Sequence, residues 1–201
     1  MKRICLVTHA EASHSIEGKV GGWYDSTLTS NGEQQASSLL QKITGYGFQL
    51  DQLNVYSSDL QRAVQTAKVL LKDSGVKPNL DKRLREMSFG SHEGMNQQKH
   101  NRIMTPVNSQ GERMDHRICE GAESRRDVAI RITEFVNEIM TEAGDVLVVT
   151  HGFAATFFIA AFQKVGIESM GYINYALQPG SISILQEDDL FKNRSLTLLN
   201  G

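Results

Sequence analysis

Cysteine is scarce in this sequence, which has only Cys5 and Cys119 among its 201 residues. Two cysteines cannot form the disulfide framework on which many small secreted domains depend. Cys5 also lies inside an apolar run, where a buried and reduced thiol is expected. The low cysteine content therefore predicts a protein of a reducing compartment, the cytoplasm.

An excess of positive charge is also lacking. The 21 Lys and Arg residues are balanced by 23 Asp and Glu residues, which gives a formal net charge of -2. Proteins that hold nucleic acids through the phosphates usually carry a basic surface. We therefore expect no nucleic-acid partner, and any anion site must be local.

Long apolar runs are missing as well. Only four apolar residues, 4–7, precede Thr8 and His9 at the amino terminus, too few for the hydrophobic region of a signal peptide. The longest apolar stretch, 153–162, has about ten residues, whereas a membrane-spanning helix needs about 20. We expect no secretion signal and no membrane segment, and we interpret 153–162 as a buried core helix.

The chain does contain enough apolar residues for a folded core. Hydrophobic residues make up 40% of the sequence and charged residues 22%, a balance typical of globular proteins and unlike that of disordered chains. One core usually supports about 100 to 200 residues. We therefore predict a single domain over residues 1–201.

Short β-branched runs alternate along the chain with longer segments of helical period. This alternation is typical of βαβ units, in which helices cover both faces of a sheet. It predicts an α/β fold, a three-layer α/β/α sandwich with a mainly parallel sheet. The predicted strands are 4–8, 54–57, 146–150, 181–186 and 195–199.

Three further helices are predicted from apolar residues that recur at intervals of three and four. Ser58 and Asp59 precede the second of them and are a candidate N-cap pair. The three helices are expected between Ser30-Asn31-Gly32 and Gly45, from about 60 to 71, and from about 124 to 143.

The helical period fades between residues 83 and 121, where Gly, His, Asn, Gln and Met are frequent. We interpret this segment as an excursion of loops and short helices rather than as a second domain. Long ordered loops often carry functional residues. We expect the excursion to cover part of a site.

Two histidines occur in matching contexts. His9 and His151 each follow a predicted buried strand directly, and each is followed by a small residue. The carboxyl ends of parallel strands share one edge of a sheet, where ligands normally bind. The two imidazoles are therefore expected to meet there, although a single histidine in such a place is more often structural.

An arginine follows a third predicted strand. Arg62 lies in the first turn of the helix after strand 54–57, where a cation opposes the helix dipole. This position indicates an anion held by free N–H groups and the guanidinium together; the alternative is an exposed surface arginine. Two imidazoles and an arginine at one sheet edge suit a phosphoryl group, whose oxygens need several donors.

Several spaced motifs occur in a recognisable order, and together they are much more specific than any one alone. They resemble the motifs of the histidine phosphatase superfamily, also called the phosphoglycerate mutase-like family, over nearly the whole chain. The matching segments are 9–11, 22–25 with 28–29, 57–67, 84–86 with 89–90 and 93–94, 123–124 and 149–152.

The resemblance implies a role for each matching residue. His9 would be the nucleophile that forms a phosphohistidine, Arg62 and His151 would bind phosphoryl oxygens, and Glu86 would donate a proton to the leaving oxygen. A neutral imidazole suits this role because it offers a lone pair at physiological pH. The predicted catalytic residues are His9, Glu86 and His151, and the predicted substrate-binding residues are Arg62, Thr8, Glu11, Trp23 and Gly152.

The function expected from this resemblance is hydrolysis of a small phosphorylated substrate without a metal ion or another cofactor. A zinc site is not expected, because His100 follows His92 by eight residues rather than by the four of the H-E-x-x-H motif. Basic residues among 113–126 are either a rim for an acidic substrate or ordinary surface charge.

The chain departs from the family pattern beside the nucleophile. The family has Arg before the nucleophilic His and Gly after it, whereas this chain has Thr8 and Ala10, and the Asn that commonly follows is replaced in the neighbourhood of His14 and Ser15. A charge-assisted hydrogen bond contributes about 1.5 to 3 kcal/mol, so the missing arginine predicts a roughly ten- to two-hundred-fold weaker transition-state interaction.

Three functions remain open at this point. A phosphatase of reduced activity is favoured; a non-catalytic protein that binds a phosphorylated ligand or partner is the alternative that Thr8 supports; and a phosphoglycerate mutase is the third. Another cation could also occupy the place of the missing arginine. The candidates for it are Arg3, Lys19 and Arg126.

Overall fold

Two apolar strands form the centre of the computed structural model, which describes residues 1–107 and 113–201. They are β1 (Lys2–Thr8) and β4 (Val146–Thr150). The two strands pair in parallel, from Ile4 opposite Val146 to Thr8 opposite Thr150. Residues 4–8 and all of β4 are buried, because helices cover both faces of the sheet.

One six-stranded sheet is built around this pair, in the order β3-β2-β4-β1-β5-β6. Its first four strands are parallel, whereas β5 and β6 run antiparallel to their neighbours. The predicted α/β fold is thus confirmed. Strand β3 was not predicted from the sequence, because two residues are too few to show the alternation of a strand. The outer strands are β2 (Asn54–Ser57), β3 (Asn79–Leu80), β5 (Ile182–Glu187) and β6 (Arg194–Leu198).

Alternate residues of β1 face two separate helical layers, as the period of a strand requires. Cys5 and Val7 belong to a cluster with residues of α2 (Ser30–Gly45) and α3 (Gln61–Leu70). Ile4 and Leu6 belong to a second cluster with residues of α5 (Arg125–Ile139) and α6 (Gly152–Phe162). The sheet therefore lies between two helical layers.

The starts of α2 and α3 differ from the sequence predictions. Helix α2 begins at Ser30, because the Thr29 hydroxyl accepts a hydrogen bond from the Gly32 N–H and caps it. Helix α3 begins at Gln61, and its N-cap residue Leu60 provides no side-chain cap. The predicted cap pair is wrong, since the Asp59 carboxylate pairs with Arg85 at 2.6 Å and Ser58 contacts His151.

The other two long helices are α5 and α6. Ser124 and Asp127 form a reciprocal capping box at the start of α5, and the helix ends at Ile139, earlier than predicted. Helix α6 is buried on nearly all sides, as expected from its apolar sequence. Among the described residues, no helix is long and apolar enough to cross a membrane.

Between residues 83 and 121, the described part of the chain forms loops with short elements. Helix α4 (Gln97–Ile103) lies here, and residues 108–112 are outside the described part. The remaining short elements are α1 (Ser13–Ile16), α7 (Ile167–Met170) and the 3-10 turns Leu50–Gln52, Lys82–Leu84 and Gly90–His92.

Candidate active site

The register of the two central strands brings His9 and His151 together. Because Thr8 lies opposite Thr150 in the parallel pair, the residues that follow leave the sheet side by side. The His9 N–H donates to the carbonyl of Thr150 at 2.8 Å. The two imidazole centres are 5.0 Å apart, so the carboxyl edge of the sheet carries a histidine pair.

The hydrogen bonds of His9 fix which ring nitrogen carries the proton. Nδ1 lies 2.8 Å from the carbonyl oxygen of Ala10, which can only accept, so Nδ1 is the protonated atom. Nε2 is then unprotonated and accepts a hydrogen bond from Nε of Arg62 at 3.3 Å. Burial and the charge of Arg62 lower the pKa of His9 to about 3. The imidazole is therefore neutral at physiological pH.

Arg62 is a buried cation in the first turn of α3, with 1% of its surface exposed. Its two terminal nitrogens donate to the carbonyl oxygens of Tyr24 at 2.9 Å and Gly22 at 2.6 Å. Burial lowers its pKa, and no described carboxylate forms an ion pair with it. The interpretation of Arg62 as an exposed surface residue is therefore excluded, and its charge is available to an anion.

His151 precedes α6 as its N-cap residue and is fully buried. Its Nε2 lies 2.8 Å from the hydroxyl oxygen of Ser58, whereas its Nδ1 is buried without a hydrogen-bond partner among the described residues. Burial and the charge of Arg62 hold its pKa well below the usual value.

Glu86 lies at the start of α6, in contact with backbone N–H groups. Its Oε1 accepts from Met87 at 2.9 Å and from Ala154 at 3.1 Å, and its Oε2 accepts from Phe153 at 3.1 Å. Helix N-termini attract negative charge. Glu86 is thus not a solvated loop carboxylate but is held beside His151.

The backbone of Glu86 is held in turn by two side chains. The indole N–H of Trp23 donates to the Glu86 carbonyl at 2.7 Å. Arg131 of α5 donates to the same carbonyl at 3.0 Å and forms an ion pair with Glu123 at 2.9 Å. Trp23 therefore borders the site, and Arg131 ties the excursion to the helical layer beneath it.

The amino-acid sequence of the chain matches a known family. The family model of the histidine phosphatase superfamily (branch 1) matches residues 4–196. This chain belongs to the histidine phosphatase superfamily.

Individual members of the superfamily support this assignment. "Probable phosphoglycerate mutase GpmB" of Enterobacter sp. (strain 638) is 30% identical over 161 residues, which are 77% of this chain and 71% of that protein. A protein provisionally named phosphoserine phosphatase 2 in Hydrogenobacter thermophilus is 28% identical over 179 residues, 87% of this chain and 85% of that protein.

The fold of this superfamily member is also found in solved structures. The mycobacterial glucosyl-3-phosphoglycerate phosphatase, solved with VO3, superposes with a TM-score of 0.79 and 24% identity, and the match covers 100% of both chains. The likeness confirms the phosphoglycerate mutase-like architecture that the sequence predicted.

Two of the predicted binding residues have side-chain contacts away from the histidine pair. The Thr8 hydroxyl donates to the carbonyl oxygen of Gln178 and lies 3.1 Å from Ser181 Oγ. The Glu11 carboxylate accepts from the Thr29 hydroxyl at 2.6 Å. Gly152 opens α6. The structure thus does not turn Thr8 or Glu11 toward the histidine pair, and their roles stay predictions.

The three candidate replacement cations are all occupied elsewhere. Arg3 pairs with Asp145 at 2.6 Å near the opposite end of β1, Lys19 pairs with Glu17 at 2.7 Å, and Arg126 pairs with Asp115 at 2.6 Å. Each is neutralised by a carboxylate. None of them supplies a free charge to the histidine pair.

His92 and His100 pair with each other instead of forming a zinc helix. Their Nδ1 atoms lie 3.1 Å apart, which places one proton between two nitrogens. In the described ranges, no group of three or more His, Cys, Asp or Glu residues is arranged to hold a metal ion.

Sequence reasoning did not assign roles at the site to Ser58, Arg131 and His14. Ser58 looked like a helix cap and instead contacts His151. Arg131 lies between the inward-facing Val128 and Ile132 of α5, and a charged residue next to the buried face of a helix is the sequence signal for its role. The His14 ring centre lies 6.1 Å from that of His9, so a third imidazole borders the pair.

Proposed function

We propose that this chain hydrolyses small phosphomonoesters through a phosphohistidine intermediate on His9, without a metal ion. The observation that carries the proposal is the contact between the unprotonated Nε2 of His9 and the buried charge of Arg62. A lone pair and a fixed cation in one crevice are what nucleophilic attack on a phosphoryl group needs.

The first step forms the covalent intermediate. The Nε–H of Arg62 transfers its hydrogen bond from Nε2 of His9 to a phosphoryl oxygen, Nε2 attacks phosphorus with the lone pair so released, and the bond from phosphorus to the ester oxygen breaks. The Nδ1–H of His9 stays on the Ala10 carbonyl and stabilises the positive charge that the ring gains. Arg62 is supported as the group that balances the phosphoryl charge, because its positive charge is buried and unpaired among the described residues.

His151 would bind a second phosphoryl oxygen. Its buried Nδ1 lacks a hydrogen-bond partner within residues 1–107 and 113–201, and its Nε2 lies beside the Ser58 hydroxyl group. A ring fixed at one nitrogen presents the other in a set direction, which is the preorganisation that favours charge stabilisation. Arg62 and His151 together would hold the phosphoryl oxygens so that the bond from phosphorus to the leaving oxygen lies in line with Nε2 of His9.

Proton transfer is assigned to Glu86. The leaving oxygen departs with the electron pair of its bond to phosphorus and takes a proton from the Glu86 carboxyl group. In the second step, water gives a proton to the Glu86 carboxylate and attacks the phosphohistidine, which releases phosphate and regenerates His9. The proposal is supported by the position of Glu86 at the start of α6, directly after His151.

The substrate class we propose is a phosphomonoester with a second anionic group. Arg125 is half-buried with its guanidinium carbon 4.9 Å from the Phe153 ring centre, and Arg113 lies close enough to lower its pKa further. Neither arginine has a carboxylate partner among residues 1–107 and 113–201. Phosphoglycerate and phosphoserine, which occur in the names of the relatives, both carry a carboxylate.

The test is hydrolysis of p-nitrophenyl phosphate by the purified protein in the presence of EDTA, with His9→Ala and His116→Ala as a matched pair. His116 is a histidine outside the histidine pair, bonded to the Thr105 carbonyl. We expect turnover by the wild type and His116→Ala and none by His9→Ala. Equal rates in all three proteins would contradict the proposal.

The alternative is a non-catalytic protein that binds a phosphorylated ligand. It is favoured by one observation, that the Thr8 hydroxyl is directed to Gln178 and Ser181 and offers no charge beside His9. Phosphate binding that depends on Arg62, together with no turnover of any phosphomonoester, would support this alternative.

A further inference from the structure

His14 is a third imidazole at the candidate active site. Its ring centre lies 6.1 Å from that of His9, with the ring planes inclined at 58°. Its Nδ1 lies 2.7 Å from the Ser26 hydroxyl oxygen, and its Nε2 lies 3.3 Å from the Ser15 hydroxyl oxygen. The ring also packs on Gly21, where a Cβ atom would come within 2.8 Å of Nε2. Ser26 and Gly21 therefore fix the ring beside the nucleophile.

The charges at the site are unbalanced once a dianion enters. Arg62 contributes one positive charge, whereas a phosphate or sulfate dianion brings two negative charges. Thr8 contributes a hydroxyl that is directed elsewhere. Because buried charge needs compensation, one imidazole at the site should take up a proton when the anion binds.

Three imidazoles could take up this proton. His9 must keep its lone pair for attack, and His151 is fully buried. His14 is partly exposed, whereas His9 and His151 are buried, so a proton on the His14 ring costs less desolvation. Burial and the charge of Arg62 lower the pKa of His14 to about 4.

The groups that face His14 agree with this choice. They are Arg62 from α3, His9 and His151 from the strand ends, and Glu17, which raises the pKa of His14. Lys19 pairs with Glu17 at 2.7 Å. An anion that offsets the charge of Arg62 removes an electrostatic cause of the low pKa.

We propose that His14 takes up one proton as a dianion binds beside His9 and Arg62, and that the imidazolium charge offsets the second negative charge of the dianion. This inference rests on the proposed function for the identity of the ligand and for the exclusion of His9 as the group that takes up the proton. It assigns to His14 the second positive charge that the neighbourhood of His9 otherwise lacks.

The test is a calorimetric titration of the wild-type protein with sulfate at pH 6, in two buffers of different ionisation enthalpy. Sulfate is chosen because it remains a dianion throughout this pH range, so any proton taken up is bound by the protein. We expect uptake of about one proton per sulfate, and tighter binding as the pH falls.

The decisive variant is His14→Gln, with His116→Ala as its control. Glutamine can keep a hydrogen bond to Ser26 but cannot become positively charged. We expect His14→Gln to take up no proton and to bind sulfate at least about ten-fold more weakly, which corresponds to one lost charge-assisted contact. The control should match the wild type.

Two results would overturn the inference. One is a proton uptake unchanged in His14→Gln, which would assign the proton to His9 or His151. The other is sulfate binding by the wild type without proton uptake, or no sulfate binding at all. Should His14→Gln fail to fold, the ¹⁵N shifts of His14 in the wild type must still show protonation on addition of sulfate.

The two proposals fail in different ways. Proton uptake at His14 without turnover of p-nitrophenyl phosphate would support the anion site and contradict the phosphatase. Turnover lost in His9→Ala but unaffected by His14→Gln would support the phosphatase and contradict the role of His14.

Discussion

The Nε atom of Arg62 lies 3.3 Å from the Nε2 atom of His9 and donates a hydrogen bond to it. This contact holds a cation and a lone pair together in a buried place, at the meeting of α3 with the end of β1. It also lowers the pKa of His9, in addition to the effect of burial. An incoming phosphoryl group would meet a neutral imidazole and a positive charge at the same point.

The first prediction concerns the covalent intermediate. Brief incubation with a labelled phosphomonoester and a quench without acid should trap an acid-labile, base-stable phosphoenzyme at His9, because a phosphohistidine is formed when Nε2 attacks. Peptide mapping after the quench measures the position of the label. Label on any residue other than His9 would contradict the assignment.

The second prediction concerns the proton donor. Glu86→Gln should slow phosphoenzyme formation more with an alkyl phosphate than with an aryl phosphate, since an aryl oxide leaves with less proton donation. Rapid-quench kinetics on both substrates measure the difference, with Glu120→Gln as a carboxylate control in the excursion. Equal slowing with both substrates would remove Glu86 from this role.

The third prediction separates the inner arginine from the outer one. Arg62→Ala should weaken binding of inorganic phosphate at least about ten-fold, because a buried charge-assisted contact contributes more than a half-exposed one. Arg125→Ala should change phosphate binding little but raise KM for phosphoserine, which carries a second anionic group. Calorimetry and steady-state kinetics measure these effects. Phosphate binding unaffected by Arg62→Ala would exclude the site as described.

The fourth prediction tests the position before the nucleophile. Thr8→Arg should raise kcat/KM for p-nitrophenyl phosphate about ten-fold or more if one charge-assisted contact is gained. It should also lower the melting temperature, since Thr8 is 3% exposed and loses its contacts with Gln178 and Ser181. The double variant Thr8→Arg with Ala10→Gly should have a higher kcat/KM than either single variant, because the two residues are neighbours in one pocket.

Thr8→Val is the control for this series, because it removes the same hydroxyl contacts without adding a charge. It should lower the melting temperature and leave kcat/KM without any gain. A rate lower in Thr8→Arg than in the wild type would contradict the prediction that a positive charge is missing beside His9.

The fifth prediction concerns stability and pH. The pKa of His9 is about 3 in the folded chain and about 6.5 in the unfolded chain. Below pH 6.5 the unfolded chain binds a proton that the folded chain does not. As the pH is lowered below 6.5, the free energy of unfolding should therefore decrease, by up to about 1.4 kcal/mol per pH unit for this histidine.

Urea unfolding between pH 7 and pH 5 measures this slope, in a range above the titration of most carboxylates. The slope should be smaller in His9→Ala by about one proton and unchanged in His116→Ala. A slope equal in all three proteins would show that His9 is not held neutral by the fold.

Much of the fold was predictable because it depends on local pattern. The apolar runs predicted β1, β4 and α6, and the helical period predicted α2, α3 and α5, with errors of a few residues at their ends. The errors arose where capping depends on distant groups. Asp59, for example, pairs with Arg85 instead of capping α3.

The sequence by itself determined that His9, Arg62 and His151 would meet, because each follows a strand of one parallel sheet and parallel strands end at the same edge. Only the tertiary structure decided the contacts of Glu86 with Ala154, 68 residues away, of Ser58 with His151, and of His14 with the histidine pair. These contacts join segments that share no local period, so they follow from packing of the layers and not from any pattern along the chain.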